Sequence, residues 1–559
     1  MRFKRYSVPK VPFWVFILIA ILYFSAIGVD TMDIDASQYA EISREMMKSG
    51  DYLHVFDRGM EYLDKPPFLF WVSAASMKVF GVNNFGYKFP SLLFALWALF
   101  ATYRLTKLLY GEVTGRMAAL ILATCQGMFL MTNDIRCDTI LMSWVITSIW
   151  LLKEWYVKQR LGYLLAAFAS VAFGMMTKGP IALMVPIFCF SADWSLKRLW
   201  KNFIKPQYLL GLLIIVILLI PMSIGLYQQF DMHPEKMVNG QRGVSGLRFF
   251  YWSQSFGRIT GESPWKNAVY PTFLLENMLW SYLPWIVLFL PAMLVNFLKL
   301  LANRFRLSAG PGNEWISTGG FLLTYYVLAS SAYQLPHYIF VAFPLASIVT
   351  ARFIYELVEE QKYQVFYKVA KPLFLVISCG LILASLALIT YVFPAHPAMI
   401  GAWFLGFGIW LYLAIKKDLK GKILWLPVTA MIVANVFVSN HLYPSLLQYQ
   451  LGSAIGRYIY NSSIPTDDIA KYEVDDPVNS INFYAHGSIR NCKDIDSIRH
   501  QKYIITMDKG LSEIRANNHA FDILKEGRLF KVSELTPDFL NPNTRLASTK
   551  KYYFLKFRD

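Results

Sequence analysis

The sequence predicts an α-helical polytopic membrane protein of about thirteen transmembrane helices, with a C-terminal soluble α/β domain. Three observations carry that prediction. Of 559 residues, 55% are hydrophobic and only 16% charged, where a soluble domain carries about a quarter charged residues. Apolar runs near the roughly 20 residues needed to cross a bilayer recur along the chain. The cations lie mostly between those runs, so the net charge of +17 is explained by topology and nucleic-acid binding is not needed.

The expected spans are 13–29, 87–108, 115–132, 139–155, 161–177, 180–194, 207–227, 272–298, 316–333, 338–356, 372–393, 398–415 and 423–440. Placing the basic N-terminus (Arg2, Lys4, Arg5, Lys10) in the cytoplasm and alternating sides makes every inner loop cationic, for example Arg104, Lys107 and Arg116, or Lys416, Lys417, Lys420 and Lys422. That is the positive-inside pattern. The first span reads as an uncleaved anchor, because Ser25-Ala26-Ile27-Gly28 is a poor cleavage site. The five cysteines are too scattered for a disulfide framework, and no metal-ligand spacing of Cys or His occurs.

Two domains are expected: residues 1–440, a membrane domain whose outer loop 30–86 carries interfacial helices, and residues 441–559. A second outer loop covers 228–271. The tail mixes helix-like spacing (Leu446, Leu447, Leu451, Ile455) with β-like runs, Tyr503-Ile504-Ile505 and Tyr552-Tyr553-Phe554-Leu555.

Chemistry concentrates in the first outer loop. Between Asp30 and Asp64 it holds nine acids and three bases. A helix over 36–49 would place Tyr39, Ile42 and Met46 on one face and turn its acids to water, with Gly50 ending it. The proline pair of Asp64-Lys65-Pro66-Pro67 would start a second, apolar helix. Asp35 and Lys65 then sit at the ends of two helices lying along the membrane. A carboxylate there can accept a proton from a hydroxyl nucleophile, and a lysine can hold a phosphate. Such a charge pair at 4 Å is worth roughly 4 kcal/mol in a half-buried site, against about 1 in water. The plainer readings are that Asp35 and Gln38 form a capping box, that Asp64-Lys65 is a solvated pair, and that Asp138 only caps the fourth span. Other polar residues fall on the same side: Asn133, Asp134, Arg136 and Asp138; Thr177-Lys178-Gly179-Pro180; Arg242, Arg248 and Arg258; and Gln334-Leu335-Pro336-His337-Tyr338.

The motifs Asp35-Ala-Ser-Gln-Tyr39-Ala40-Glu41-Ile42, Ser49-Gly50-Asp51-Tyr52 and Tyr62-Leu-Asp64-Lys65-Pro66-Pro67 resemble the first periplasmic loop of the bacterial lipid A aminoarabinose transferases. Those enzymes stand with the protein O-mannosyltransferases among the polyprenyl-phosphate-dependent, GT-C-type glycosyltransferases. Asp138-Thr-Ile-Leu141, Thr177-Lys178-Gly179-Pro180 and Leu335-Pro336-His337-Tyr338 extend the resemblance over about residues 10–440.

The resemblance implies a GT-C membrane enzyme of the bacterial inner membrane, its N-terminus cytoplasmic and its tail periplasmic. It would move a sugar from an undecaprenyl-phosphate donor to lipid A, another glycolipid or a protein, with inversion. It also implies roles. Asp35 and Asp138 would be catalytic, and Lys65, Lys178, Arg258 and His337 would contact the donor phosphate. Tyr39, Glu41, Asp64 and Tyr338 would line the pocket. Gln254-Ser255 precede Arg258 where the aminoarabinose enzymes often carry Glu-His, a departure that bears on the donor sugar. Membrane lipids are expected partners and nucleic acid is not. A divalent cation between Asp35 and Asp138 is conceivable chemically, but the spacing gives no sign of one. The alternatives are a polysaccharide polymerase or ligase with a lipid-linked donor, and a lipid-linked sugar transporter or flippase. Transport fits less well, because the apolar spans are almost free of internal charge.

Overall fold

The computed structural model describes residues 10–558 except 255, 261, 263–265, 268–269, 309, 311, 417–420, 475–478 and 533, and not the side chains of 258 and 259. Arg2, Lys4, Arg5, Lys417 and Lys420 of the inner-loop pattern therefore lie outside the described residues.

Helix α1 (Phe13–Ser25) leads into α2 (Asp35–Ser49), a two-residue hairpin β1–β2 (Phe56–Asp57, Met60–Glu61) and α3 (Phe68–Phe80). The bundle continues with α4 (Asn84–Tyr110), α5 (Glu112–Ala123), α6 (Gln126–Asn133), α7 (Cys137–Lys158), α8 (Leu161–Lys178), α9 (Ile181–Leu196) and α10 (Gln207–Leu226). Short helices α11 (Gly246–Arg248) and α12 (Phe256–Thr260) occupy the second long loop. Then come α13 (Phe273–Ser281), α14 (Ile286–Ala302), α15 (Ile316–Ala329), a 3₁₀ segment Pro336–Ala342, α16 (Phe343–Val358), α17 (Gln364–Ala387), α18 (Pro397–Ile415) and α19 (Lys422–Phe437).

All thirteen expected apolar segments coincide with a helix or a helix pair. Among the described residues, seven helices are by length and composition long and apolar enough to cross a membrane, or eight if the 57° bent pair α5–α6 is one span. The fold is that of a multi-pass membrane protein, and the count of thirteen exceeds what length and composition alone support. Helix α18 leaves Phe404, Leu405, Ile409 and Ile415 exposed, the surface of a helix that meets lipid. Helix α4 gives the scale of the bundle. Its 27 residues span about 40 Å. At one end Asn84 accepts from Tyr484 of the tail at 2.6 Å, and at the other the Tyr110 hydroxyl donates to Glu314 at 2.5 Å. The cationic loop residues Arg104, Lys107 and Arg116 pair with Glu154 and Glu112 at this second end, away from the tail.

The chain passes from α19 through a π-turn and α20 (Tyr443–Leu446) to α21 (Leu451–Asn461). The rest alternates β3 (Ile469–Tyr472), α22 (Ser480–Ala485), β4 (Arg490–Cys492), β5 (Tyr503–Met507), α23 (Asp508–Ala516), β6 (Phe521–Leu529), α24 (Pro537–Leu540) and β7 (Lys550–Phe557). The sheet order is β4-β3-β5-β7-β6, with β3 parallel to β4 and β5, and β7 antiparallel to β5 and β6. Ile505 and Phe554, opposite one another in β5 and β7, are both fully buried. The tail is thus a C-terminal sheet domain with its own core.

Two local expectations change. The water-facing acid side of α2 is covered: Glu41 and Arg44 are buried, paired at 2.7 Å, and the Arg44 guanidinium donates to the His486 carbonyl at 3.0 Å. Tyr39, Ile42 and Met46 do face the core as expected. Helix α2 therefore lies between the bundle and the tail, with Lys48 and Ser49 at its end still exposed. The capping box is absent, because α2 begins at Asp35 itself, whose carboxylate is taken by another residue, and Gln38 donates to Asp57 at 2.8 Å. Gly50 ends the helix at φ +73°, in the left-handed region a side chain would disfavour.

Candidate active site

Four helix ends converge at the tail-bearing end of the bundle. Asp35 opens α2, Asp138 lies in the first turn of α7, and Lys178 is the last residue of α8. His337 and Tyr338 stand in the 3₁₀ segment before α16. Acids at helix starts and a lysine at a helix end obey the helix dipole. Lys65 is anchored through α3. Three residues beyond it Phe68 packs among Phe94, Trp144 and Phe173 with ring centroids 5.5–5.9 Å apart, which seats α3 against α4, α7 and α8.

These ends form a charge-paired chain. The Lys178 ammonium donates to Asp138 at 2.6 Å and lies 4.2 Å over the Tyr338 ring. His337 is the next link, with Nε2 3.7 Å from Asp138 and Nδ1 3.4 Å from an Arg136 Nη1. A ring nitrogen facing a guanidinium must accept, so this geometry fits a neutral imidazole protonated on Nε2. Arg136 donates to Asp35 at 2.6 Å and to Asp134 at 2.8 Å. Lys65 donates to Asp64 at 2.7 Å, and Gln254 donates to the Asp64 carbonyl. Neither Asp138 nor Asp64 is merely a cap or a freely solvated group: Asp138 is buried, and the Lys65 side chain keeps 15% of its exposure.

Burial works to lower the Lys65 pKa, but Asp64 beside it outweighs that and raises it above the usual lysine value. Arg136 behaves alike: burial lowers, and Asp134 and Asp35 raise. Both stay cationic at any physiological pH.

Two compartments open among these residues. The first has Lys65, Lys178 and Asp138 at its polar end and Leu141, Ile181 and Met184 among its apolar walls. The second is polar and includes Asp35, Tyr39, Asp64, Arg136 and His337. Lys65, Asp138 and Tyr338 line both and so form the junction.

The structure thus brings together Asp35, Tyr39, Asp64, Lys65, Asp138, Lys178, His337 and Tyr338. Glu41 is not among them. Six residues along α2 from Asp35 is about 240° around the helix, which turns Glu41 to the tail and Arg44. Arg258 falls in α12, and its side chain lies outside the described residues, as does Ser255. Arg136, the hub of the chain, is the residue sequence reasoning did not place in the site. In the sequence it stands only as one of several polar residues at the outer start of the fourth span. Among the described residues no group of His, Cys, Asp or Glu is arranged to hold a metal ion.

Comparisons with known proteins agree with this fold. The family model described as dolichyl-phosphate-mannose-protein mannosyltransferase matches residues 64–224. An uncharacterized protein of Aquifex aeolicus is 24% identical over 86% of this chain and 88% of its own. The undecaprenyl phosphate-alpha-4-amino-4-deoxy-L-arabinose arabinosyl transferase of Edwardsiella ictaluri is 26% identical over 58% of this chain and 56% of its own, so the chain spans about half of that relative. The crystal structure of ArnT from Cupriavidus metallidurans bound to undecaprenyl phosphate superposes with a TM-score of 0.71, at 17% identity, covering 92% of this chain and 96% of that one. The fold is similar to that of the membrane-embedded glycosyltransferases of the GT-C class. Within that class, the comparisons bear out the resemblance to the aminoarabinose transferase and protein mannosyltransferase group.

Proposed function

We propose that the protein transfers a sugar from a polyprenyl-phosphate donor, undecaprenyl phosphate in a bacterium, to an acceptor at the outer face of the inner membrane. The tail domain would then be periplasmic, the acceptor lipid A or another envelope glycoconjugate, and the anomeric carbon inverted. The observation that carries this reading is the joining of an apolar-walled compartment to a polar one through Lys65 and Asp138. A lipid-borne sugar has that same division: an isoprenoid, a phosphate at the junction, and a polyol beyond.

The leaving group is a phosphate that departs already charged, so it needs cations more than an acid. Lys65 and Lys178 reach the apolar compartment and take that role. To bind the phosphate each must share its charge with an acid it now holds, Asp64 or Asp138. Freed in this way, Asp138 can turn to a sugar hydroxyl or the acceptor. Asp35 reaches only the polar compartment. There it accepts the proton of a hydroxyl acceptor as that oxygen attacks the anomeric carbon and the lipid phosphate leaves from the opposite face. Among the residues lining this compartment three carboxylates stand against Lys65 and Arg136, a balance that favours a neutral hydroxyl over an ionised phosphate as nucleophile. With a phosphate acceptor Asp35 would orient rather than deprotonate.

Mass spectrometry of lipid A and envelope glycoconjugates from cells with and without the protein tests the reading. One acceptor should gain a single hexose, pentose or amino sugar only when the protein is present. Identical glycoconjugate profiles would overturn it.

A further inference from the structure

The tail domain reaches the segment that ends in Asp35. Ser480, the first residue of α22, donates from its backbone N–H and its hydroxyl to the two carboxylate oxygens of Asp33, at 2.8 and 2.7 Å. Ser37 closes on the same carboxylate at 2.5 Å. Gln450 brackets the backbone, accepting from the Asp33 N–H and donating to the Thr31 carbonyl, both at 2.8 Å. The Tyr484 hydroxyl accepts from the Thr31 N–H at 2.7 Å. Ser480, Gln450, Tyr484 and Thr31 are all buried. Residues 30–34 form no regular element of their own. The Thr31 N–H and carbonyl, the Asp33 N–H and the Asp33 carboxylate are thus held by groups more than 400 residues away in sequence.

The fit of that domain is close. A Cβ on Gly452 of α21 would sit 1.9 Å from the Ser480 hydroxyl, so α21 and α22 touch backbone to side chain where the latch is made. Arg457, one turn further along α21, pairs with Asp30 at the start of the segment.

We propose that the tail domain is a positioning element for Asp35: Ser480 and Gln450 latch residues 31–33 and so fix the start of α2 where Asp35 meets Arg136. This rests on the reading that Asp35 serves the transfer. Half-built geometry is costly in such a site, since a displacement of about 1 Å can cost about a hundredfold in rate. The latch residues touch neither compartment. They act through Asp35 alone.

The test uses the full chain in membranes, with product measured per folded protein by mass spectrometry and amide exchange followed over residues 31–38. Ser480→Ala and Gln450→Ala are each expected to lower product about tenfold and to speed exchange at Thr31 and Asp33. Combined with Arg136→Lys, Ser480→Ala should cost less than the product of the two separate losses, because both act on one carboxylate. Multiplying losses would mean general destabilisation and overturn the latch. Should Ser480→Ala fail to fold, Gln450→Ala and Asp33→Asn decide the matter in the same assays. Full activity of both latch variants beside an inactive Asp35→Asn overturns the latch alone. A fully active Asp35→Asn overturns the role of Asp35 and the latch with it.

Discussion

The Asp35 carboxylate accepts a hydrogen bond from Arg136 at 2.6 Å across 101 residues of sequence. The same guanidinium holds Asp134 and faces His337. A planar fork serving three neighbours cannot be replaced by a point charge without loss. Arg136→Ala should lower transfer about 100-fold and Arg136→Lys recover part of it. The check is product per folded protein by mass spectrometry, and equal activity in all three chains would show that Asp35 needs no orientation.

Asp35→Asn keeps the shape of the side chain and the acceptor oxygen for Arg136 while removing the base. Loss of about 10²- to 10⁴-fold is expected for a hydroxyl acceptor. Folding should persist, since the side chain is 39% exposed and caps nothing. Amount and melting temperature of the purified variant give the control. Wild-type turnover in Asp35→Asn would assign the base elsewhere.

Lys65 supplies charge at the junction of the compartments. Lys65→Ala should cost about 10² or more in transfer, in the range seen when one donor to a developing anion is removed. Lys65→Arg should retain more, because the positive charge is kept. Donor-dependent kinetics of the two variants decide this. Identical behaviour would mean that Lys65 contributes packing, not charge.

Lys471, buried in β3, makes a prediction about pH. Burial lowers its pKa, Arg58 nearby lowers it further, and together they outweigh Asp33, Asp57 and Glu41, leaving it at about 8. The unfolded chain holds that proton up to about 10.4. Between those values the unfolded state binds more protons, so this group makes stability rise with pH from about 8 to 10.4 and sets a constant penalty below 8. Lys471→Met should therefore melt higher than wild type at pH 7, with the gap closing by pH 10. Parallel melting curves against pH would contradict the assignment.

Much of this was legible in the sequence, for physical reasons. Hydropathy finds segments such as Gln207–Leu226 because a lipid-facing helix cannot hide polar groups. The runs 503–505 and 552–555 announced β5 and β7 through β-branched and aromatic content. Asp35, Lys65 and Asp138 stood out by motif. The fate of Glu41 and Arg44 did not, because a charged helix face looks the same whether water or a folded domain covers it. Arg136 stood in the sequence only as one polar residue among several at the start of the fourth span, though it holds Asp134 two residues away. Only the three-dimensional return of α2 shows that its second partner is Asp35. The short helices α5 and α6 show the converse: one apolar run, 115–132, concealed a 57° bend.

The grip of Lys65 and Lys178 on a lipid phosphate is the claim on which the rest depends. It is tested most directly by the binding of undecaprenyl phosphate to the purified full chain, compared with the Lys65→Ala/Lys178→Ala variant. At least a tenfold weaker affinity in the variant, with melting unchanged in the absence of lipid, is the predicted result. Equal affinity in the two proteins would contradict it.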